Sequence, residues 1–299
     1  MTEIQKFKQK FIKEITQNTA LTNLKDIENL AHLQTENLAI ALFKQTVRQH
    51  SKIQNNPIVA FLGGAYVREN TPAFDSAVLL GKLLAQDNIA SISGGGPGIM
   101  TACLNGAEQG GMPSIAIKLN GIPSESKKKP AELEIFLDNI APRQSAILEL
   151  ADVHIFCSGG MGTLYEFGES ATMNKILKYP KPKLMILLDD ESETPYWHNL
   201  NQLGKQFIDK GMVYLPTELA LSQILIDLGD NPALQTVRAL YGDSPVLPSE
   251  AIDLLANAYQ TTREQICSEL WDSFVVNLKI GKEQEIVDFI KNWLKKNRA

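Results

Sequence analysis

The chain has 299 residues, 44% hydrophobic and 21% charged, with a formal net charge of −5 at pH 7. This length and composition suit a soluble globular protein of one large domain or two modest ones. The negative charge gives no overall cationic field for nucleic acid or an anionic membrane, so a phosphate site would have to be local.

The first 52 residues predict a helical extension. Apolar side chains recur at helical spacing in two stripes, one from Ile4 to Ile15 and one from Leu38 to Val47. The sequence Asn55-Asn56-Pro57 then breaks the pattern. We therefore expect an N-terminal helical extension over residues 1–52.

From residue 58 onward, short apolar runs alternate with amphipathic segments. The runs predict buried strands, and the segments between them predict helices. Because strands that alternate with helices pair in parallel through right-handed crossovers, we expect a doubly wound, Rossmann-like α/β sheet over residues 53–230. The predicted strands are 58–62, 89–93, 114–117, 133–137, 153–156 and 183–188.

Beyond about residue 230 the strand pattern stops and the sequence predicts helices alone. Residues 248–259 and 261–278 have helical patterns, and an amphipathic stripe from Ile286 to Leu294 predicts a last helix. We therefore expect a C-terminal helical extension over residues 231–299.

Three glycine-rich turns follow predicted strands, at residues 63–64, 94–98 and 159–162. Ligands of open parallel sheets bind at the carboxyl ends of the strands, where glycine lets the backbone approach them and helix N-termini offer free N–H groups. Tight turning alone explains any one turn equally well. Two turns this rich in glycine together predict a phosphate cradle. Their spacing matches neither the dinucleotide nor the Walker pattern, which disfavours an NAD dehydrogenase or a P-loop ATPase.

The two denser turns resemble the motifs of the LOG ("lonely guy") family. Residues 93–100, Ser-Gly-Gly-Gly-Pro-Gly-Ile-Met, resemble its first motif, and residues 158–166 match P-G-G-x-G-T-x-x-E with Ser158 in place of proline. The resemblance covers about residues 57–215. Characterised members hydrolyse nucleoside 5′-monophosphates to free base and ribose 5-phosphate. The resemblance therefore implies an N-glycosidase that needs no metal or other cofactor, and commonly a homodimer.

The resemblance further implies that Arg143 and Glu166 form the catalytic pair. Glu166 would stabilise positive charge on the sugar and orient water, while Arg143 would keep Glu166 ionised and help to position substrate. The residues alone leave alternatives open. Thr163 and Glu166 also fit a helix capping box, and Arg143 could be a solvated surface residue. A cation in the first helical turn is unfavourable without a nearby anion.

The remaining expected contacts are with the phosphate, the ribose and the base. The glycine backbone and Thr163 would hold the phosphate. Asp138 would bind ribose hydroxyls or cap a helix, and Met161 and Met100 would flank the ligand, with core packing as the alternative for Met100. Gln144 stands where relatives usually have lysine, which leaves the base preference open. The predicted ligand contacts are Gly63, Gly64, Gly94, Gly95, Gly96, Gly98, Met100, Asp138, Gly159, Gly160, Met161, Gly162 and Thr163.

Location and partners follow from simpler features. The three cysteines are far apart and the N-terminus has no secretory apolar segment, which predicts a cytoplasmic, reduced protein. The expected partner is a nucleoside 5′-monophosphate, with no nucleic acid and no membrane. The alternative function is a non-catalytic protein of the same fold that binds a nucleotide or the molybdenum cofactor.

Overall fold

A seven-stranded sheet forms the centre of the computed structural model, which describes residues 3–18, 24–126, 130–175, 183–189, 196–209, 231–241, 247–272 and 274–297. The sheet order is β4-β3-β2-β1-β5-β6-β7, and every neighbouring pair is parallel. The predicted doubly wound α/β fold is therefore confirmed. The strands are β1 Ile58–Leu62, β2 Ala90–Ser93, β3 Ser114–Leu119, β4 Leu133–Leu137, β5 Val153–Phe156, β6 Leu184–Asp189 and β7 Val275–Lys279.

Helices cover both faces of the sheet. The alternation of side chains along β1 shows the two layers, because Ile58, Ala60 and Leu62 lie in one buried hydrophobic cluster while Val59 and Phe61 lie in the other. Among the described residues, no helix has both the length and the hydropathy that crossing a bilayer requires. The helices are α1 Glu3–Asn18, α2 Leu24–Gln49, α3 Pro72–Gln86, α4 Ile99–Gln109, α5 Pro123–Ser126, α6 Ile140–Leu150, α7 Met161–Lys175, α8 His198–Asp209, α9 Pro232–Tyr241, α10 Ser249–Ala258, α11 Arg263–Asp272 and α12 Glu283–Asn297.

The order of the strands reverses at β1. From β1 the chain first builds the sheet outward through β2, β3 and β4, and it then returns to place β5 on the other side of β1. Such a reversal leaves a crevice at the carboxyl ends of the two central strands, because their crossover helices lie on opposite faces. The turns after β1, β2 and β5 are the three glycine turns, so they meet at this crevice.

The C-terminal region differs from the sequence prediction, because β7 is a strand of the central sheet. It pairs with β6 from Met185–Val275 to Asp189–Lys279, so all of it but the last residue lies in the segment 261–278 that the pattern predicted as helix. The side chain of Asn277 donates hydrogen bonds to the Leu187 carbonyl at 3.2 Å and to Asp189 Oδ2 at 2.9 Å. The predicted end of the strands near residue 230, and with it a purely helical extension over 231–299, is wrong.

The final helix also belongs to the sheet layers. Helix α12 packs against α3, and the Ser76 hydroxyl donates a 2.6 Å hydrogen bond to Glu283 at the start of α12. At the other end of the chain, Ile40, Phe43 and Val47 of α2 are buried in the same cluster as alternate residues of β1. The N-terminal helices are present as predicted over the described part of residues 1–52, and α2 packs directly on the core.

Candidate functional site

Backbone hydrogen bonds join the three glycine turns. The Gly64 N–H donates to the Ser158 carbonyl at 2.9 Å, and the Ile99 N–H donates to the Gly64 carbonyl at 3.3 Å. Gly98 has a φ of +69°, and a Cβ there would overlap the Gly64 carbonyl oxygen. Only glycine combines this conformation with so close an approach. The turns after β1, β2 and β5 are therefore fixed relative to one another.

Two hydroxyl groups hold the second turn, residues 94–98, in shape. The Ser93 hydroxyl accepts a hydrogen bond from the Gly95 N–H at 3.2 Å and donates to the Met100 carbonyl at 3.0 Å. The Thr101 hydroxyl donates to the Gly96 carbonyl at 2.6 Å. The turn's backbone is thus set by its own side chains before any ligand arrives.

The third turn, residues 159–162, opens helix α7. A Cβ on Gly159 would lie 2.5 Å from Cβ of the buried Thr163, whereas a Cβ on Gly160 or Gly162 would meet nothing within 4 Å. Because α7 begins at Met161, the N–H groups of its first turn have no carbonyl four residues earlier in the helix. Open space beside free N–H groups at a helix N-terminus suits an anion.

The helix start also settles the capping-box alternative. The first helical hydrogen bond of α7 runs from the Leu164 N–H to the Gly160 carbonyl at 3.1 Å, so Thr163 lies inside the first turn instead of capping it. The capping-box interpretation of Thr163 and Glu166 is therefore wrong. Met161, at the start of the helix, is 80% exposed and stands at the open side of the turn.

Arg143 is buried on the first turn of α6 and reaches the second glycine turn. Its Nε donates to the Ile117 carbonyl at 2.8 Å, and its Nη2 lies 3.9 Å from Sδ of Met100. Only 6% of Arg143 is exposed, so the alternative of a solvated surface arginine is wrong. Met100 thus contacts the guanidinium of Arg143, and its predicted contact with the ligand stays a prediction.

Glu166, on the second turn of α7, lies within the electrostatic reach of Arg143. Burial raises its pKa to about 7, and the charge of Glu169 adds to this rise. The charge of Arg143 and a hydrogen bond from the Gln144 side chain act in the opposite direction. Arg143 thus favours the ionised form, as expected, but burial outweighs it. The carboxyl group of Glu166 can both take up and release a proton near neutral pH.

Asp138 directly follows the edge strand β4. Its carboxylate accepts a 2.7 Å hydrogen bond from Asn120 and lies 3.0 Å from Nε2 of His32 on α2. One ligand-type atom each of His32, Glu36 and Asp138 lies within 4.8 Å of the others. Glu36 is engaged with the backbone N–H groups of Asp138 and Asn139. These contacts attach α2 to the loop before α6, and the predicted contact of Asp138 with ribose stays a prediction.

Helix α6, which carries Arg143, is held at its N-terminus by α2. Glu36 is 5% exposed and accepts hydrogen bonds from the Asp138 N–H, from the Asn139 N–H at 3.2 Å and from the Asn139 side chain. A carboxylate at this helix end offsets the unfavourable position of the Arg143 cation. A cation in the first turn of a helix requires a compensating negative charge, and Glu36 supplies part of it. The sequence pattern did not indicate Glu36.

The C-terminus of α6 is held as well. Lys183 donates to the carbonyls of Leu148 at 2.6 Å and Glu149 at 2.8 Å, and Arg48 of α2 donates to the Leu150 carbonyl at 2.7 Å. Burial lowers the pKa of Lys183 to about 7. Cations at the carboxyl end of a helix are favourable, so both ends of α6 meet complementary charges.

Two tyrosines at the crevice were not indicated by the sequence. Burial raises the pKa of Tyr196 and the charge of Tyr66 adds to this rise, while the Gly159 backbone acts in the opposite direction. The ring of Tyr66 lies against Gly64, where a Cβ would be 2.8 Å from Cε1. Tyr66 is 64% and Tyr196 38% exposed. Their positions after β1 and β6 could have marked them as candidates, because those strand ends border the crevice.

Lys118 is another residue that sequence reasoning missed. It is 2% exposed, its Nζ lies 2.7 Å from Glu134 Oε2, and it stands 5.4 Å over the ring of Phe136. Its aliphatic chain lies beside Gly95, where a Cβ would be 2.7 Å from Cε. A lysine within an otherwise apolar strand was the available indication.

The family comparison covers the glycine turns and the catalytic candidates. A family model described as LDcluster4, the SLOG cluster4 family, matches residues 56–206, just over half of the chain. A comparison with curated proteins gave no match.

Several solved structures are similar to this chain. The molybdenum cofactor binding protein of the phototrophic bacterium Rippkaea orientalis is 22% identical, with 54% of this chain and 90% of that chain covered and a TM-score of 0.40. The molybdenum cofactor carrier protein of Chlamydomonas reinhardtii is 21% identical, with 54% and 90% covered and a TM-score of 0.37. DNA processing protein A of Helicobacter pylori, which binds single-stranded DNA, is 16% identical, with 55% and 77% covered and a TM-score of 0.38. Sequence identities and TM-scores this low do not show which ligand this chain binds.

Proposed function

The chain belongs to the SLOG cluster4 family, and we propose that it hydrolyses the N-glycosidic bond of a nucleoside 5′-monophosphate to free base and ribose 5-phosphate. Membership confirms the resemblance that the two glycine motifs indicate. The observation that carries the proposal is the electrostatic pairing of buried Arg143 with Glu166 beside the joined glycine turns.

The phosphate belongs at the third turn in this proposal. Gly160 and Gly162 leave open space, and the N–H groups in the first turn of α7 are available to an anion at the helix N-terminus. The protein's net charge is −5, so the attraction has to come from these local groups. The fixed backbone of the second turn and the Arg143 guanidinium then border the sugar.

Glu166 acts on water in the proposed reaction. Its carboxylate takes a proton from a water molecule as the water oxygen bonds to C1′ of the ribose, and the bond to the base nitrogen breaks with its electron pair leaving on the base. Positive charge builds on the sugar in the transition state, and the ionised carboxylate stabilises it. The departing base then takes up a proton, which the protonated Glu166 can supply. A carboxyl group with a pKa of about 7 can release the proton again near neutral pH.

The rival function is a non-catalytic binder of a nucleotide or of the molybdenum cofactor. A binder would use the glycine turns in the same way. It would have no need of a buried carboxyl group with a pKa near 7 held beside a buried arginine, since keeping such a group in a binding site costs stability. The pair therefore favours the hydrolase.

The test is an assay of free base released from AMP, GMP, CMP and UMP by the purified protein. Glu166→Gln should abolish release, while Glu264→Gln, at an exposed site on α11, should leave it unchanged. Release from none of the four nucleotides, or undiminished release by Glu166→Gln, would refute the proposal. Binding without turnover would favour the rival.

A homodimer in the cytoplasm, with neither nucleic acid nor membrane as partner, belongs to the same proposal. The support is the family resemblance for the dimer and the negative net charge for the absent partners. Light scattering on the purified protein tests the dimer, and a mass of one chain would refute it. Retention of single-stranded DNA by the protein at physiological salt would refute the exclusion of nucleic acid.

A further inference from the structure

Three side chains of the kinds that bind metal ions converge where α2 meets the connection between β4 and α6. They are His32, Glu36 and Asp138, and one ligand atom of each lies within 4.8 Å of those of the other two. His32 and Glu36 are four residues apart on α2 and so share one face of the helix, while Asp138 follows the edge strand β4. Within the part of the chain that the structure describes, no other group of three histidines, cysteines or acidic residues comes together in this way.

Hydrogen bonds orient the two carboxylates and leave room for an ion. Oε1 of the buried Glu36 accepts from the backbone N–H groups of Asp138 and Asn139, and Oε2 accepts from the Asn139 side chain. Because a carboxylate has about four lone-pair positions, these contacts leave one on Oε2. Asp138 accepts from Asn120 through Oδ1, so its Oδ2 is the atom that faces His32. Metal ligands are commonly oriented by such outer hydrogen bonds.

The contact between His32 and Asp138 has the spacing of neighbouring metal ligands. Their Nε2 and Oδ2 atoms are 3.0 Å apart. Ligand atoms bonded to one ion at about 2.0–2.2 Å stand about 3.0–3.4 Å from each other. The same distance fits a hydrogen bond, but Glu36 brings a second carboxylate into the cluster, and an ion of charge +2 offsets the repulsion between the two carboxylates. The side chains of His32 and Asp138 are 39% and 47% exposed, so an ion can enter from solvent.

The donor atoms select the class of ion. One imidazole nitrogen with two carboxylate oxygens suits Zn²⁺ and similar transition-metal ions, whereas Ca²⁺ and Mg²⁺ prefer oxygen ligands alone. We propose that His32, Glu36 and Asp138 bind a divalent transition-metal ion, with Zn²⁺ as the probe, and that this ion cross-links α2 to the start of α6. The ion has a structural role and takes no part in the proposed hydrolysis. Asp138 then binds the ion instead of the ribose.

The experiment titrates Zn²⁺ into the metal-free full chain by calorimetry. The parent protein should bind one Zn²⁺ per chain. His32→Ala and Asp138→Asn should each weaken binding by about 100-fold or more, because the loss of an outer hydrogen-bond partner alone commonly costs about 10–100-fold. The matched control is His50→Ala, which should leave the affinity unchanged. His50 lies 3.4 Å from Glu132, and no third ligand joins this pair among the described residues.

Hydrogen exchange tests where the ion binds. Zn²⁺ should slow the exchange of the α2 amides and of the Asp138 and Asn139 amides in the parent protein and in His50→Ala, and it should have no effect in His32→Ala. The circular dichroism of metal-free His32→Ala should match that of the parent protein, because the substituted side chain is partly exposed. A loss of Zn²⁺ binding then reports the loss of a ligand.

Four results would overturn the inference. They are the absence of saturable Zn²⁺ binding by the parent protein, an unchanged affinity in either His32→Ala or Asp138→Asn, an equal loss of affinity in His50→Ala, and Mg²⁺ binding as tight as that of Zn²⁺. The last result would show a site for hard cations that does not use the histidine. None of these measurements involves the release of base, so their outcome and that of the proposed function are independent.

Discussion

Gly94 and Arg143 fit together so closely that no side chain can replace the glycine hydrogen. A Cβ built on Gly94 would lie far inside van der Waals contact with Nη2 of Arg143, and 2.8 Å from both Cζ of Arg143 and Sδ of Met100. Arg143 is buried and its Nε donates a hydrogen bond to the Ile117 carbonyl, so a methyl group on Gly94 would have to shift a guanidinium that is already engaged. The second glycine turn and the proposed catalytic arginine therefore form one unit.

Gly94→Ala should displace the Arg143 guanidinium from Glu166 and reduce kcat for base release by about 100-fold, the scale typical of a misplaced catalytic group. The strain of the added methyl group should also destabilise the fold by about 1–3 kcal/mol. Release of base and urea unfolding measure the two effects. Activity within twofold of the parent protein would contradict the prediction.

Gly168→Ala is the matched control for this change. Gly168 lies within α7, and a Cβ there would meet nothing within 4 Å. Alanine favours a helix interior over glycine, so this variant should gain about 0.5–1 kcal/mol in the free energy of unfolding. Its kcat should stay that of the parent protein.

The rate of base release should rise with pH through a midpoint near 7, because burial raises the pKa of Glu166 to about that value and the ionised form is the one that takes the proton from water. The charge of Glu169 contributes to this rise. Glu169→Gln should therefore lower the midpoint, since it removes a negative charge while its amide oxygen can still accept from Ser145. The measurement is kcat/KM between pH 5 and 9. A midpoint that moves upward or stays in place would argue against Glu166 as the titrating group.

Glu166→Gln should make the protein more stable at pH 8 and leave its stability unchanged at pH 4. The folded state raises the pKa of Glu166 from 4.5 to about 7, so the folded protein binds the proton more tightly than the unfolded chain. The free energy of unfolding of the parent protein should therefore fall between about pH 4.5 and pH 7, by about 3 kcal/mol. Glutamine does not titrate and escapes this loss. Urea unfolding of both proteins at the two pH values gives the comparison, and equal stability at pH 8 would be the contrary result.

Glu36→Ala should destabilise the protein by about 1–3 kcal/mol, because it leaves the N–H groups of Asp138 and Asn139 without their acceptor. It should also lower kcat, since those residues begin the helix that carries Arg143. Gln45→Ala changes an exposed residue of the same helix and should do neither. Thermal unfolding and base release measure both effects. If Glu36→Ala loses stability but keeps its full kcat, α2 has no part in placing Arg143.

Local sequence patterns predicted most of the fold. The six strands from β1 to β6 were predicted within two residues at each end, because continuous apolar runs bounded by turns are typical of buried parallel strands. Strand β7 was not, because the residues after Val275 are only partly buried or exposed and a helical pattern precedes the strand. Its pairing with β6 depends on contacts between residues about 90 positions apart, which a local pattern does not contain.

The residues of the candidate site likewise differ in whether a local pattern could predict them. The glycine turns and Glu166 could be predicted because a motif is a local pattern. Glu36 could not, because its importance comes from the hydrogen bonds that it accepts from Asp138 and Asn139, which lie far away in the sequence. The pKa of Glu166 is likewise set mainly by burial, which a sequence motif does not show; Arg143 lowers this pKa, as expected, but by less than burial raises it.

The residues that the family model matches are not all the residues that hold the site in place. The match spans residues 56–206, yet Glu36 and Arg48, which engage opposite ends of α6, lie before it, and β7 lies after it. A chain cut to the matched segment would keep every glycine of the three turns and both catalytic candidates. It would lose the outside acceptor and donor that fix the direction of the arginine's helix. The residues of the motifs and the residues that hold the arginine's helix in place are therefore different residues. Substitutions in α2 can change the position of Arg143 without changing any residue of the motifs.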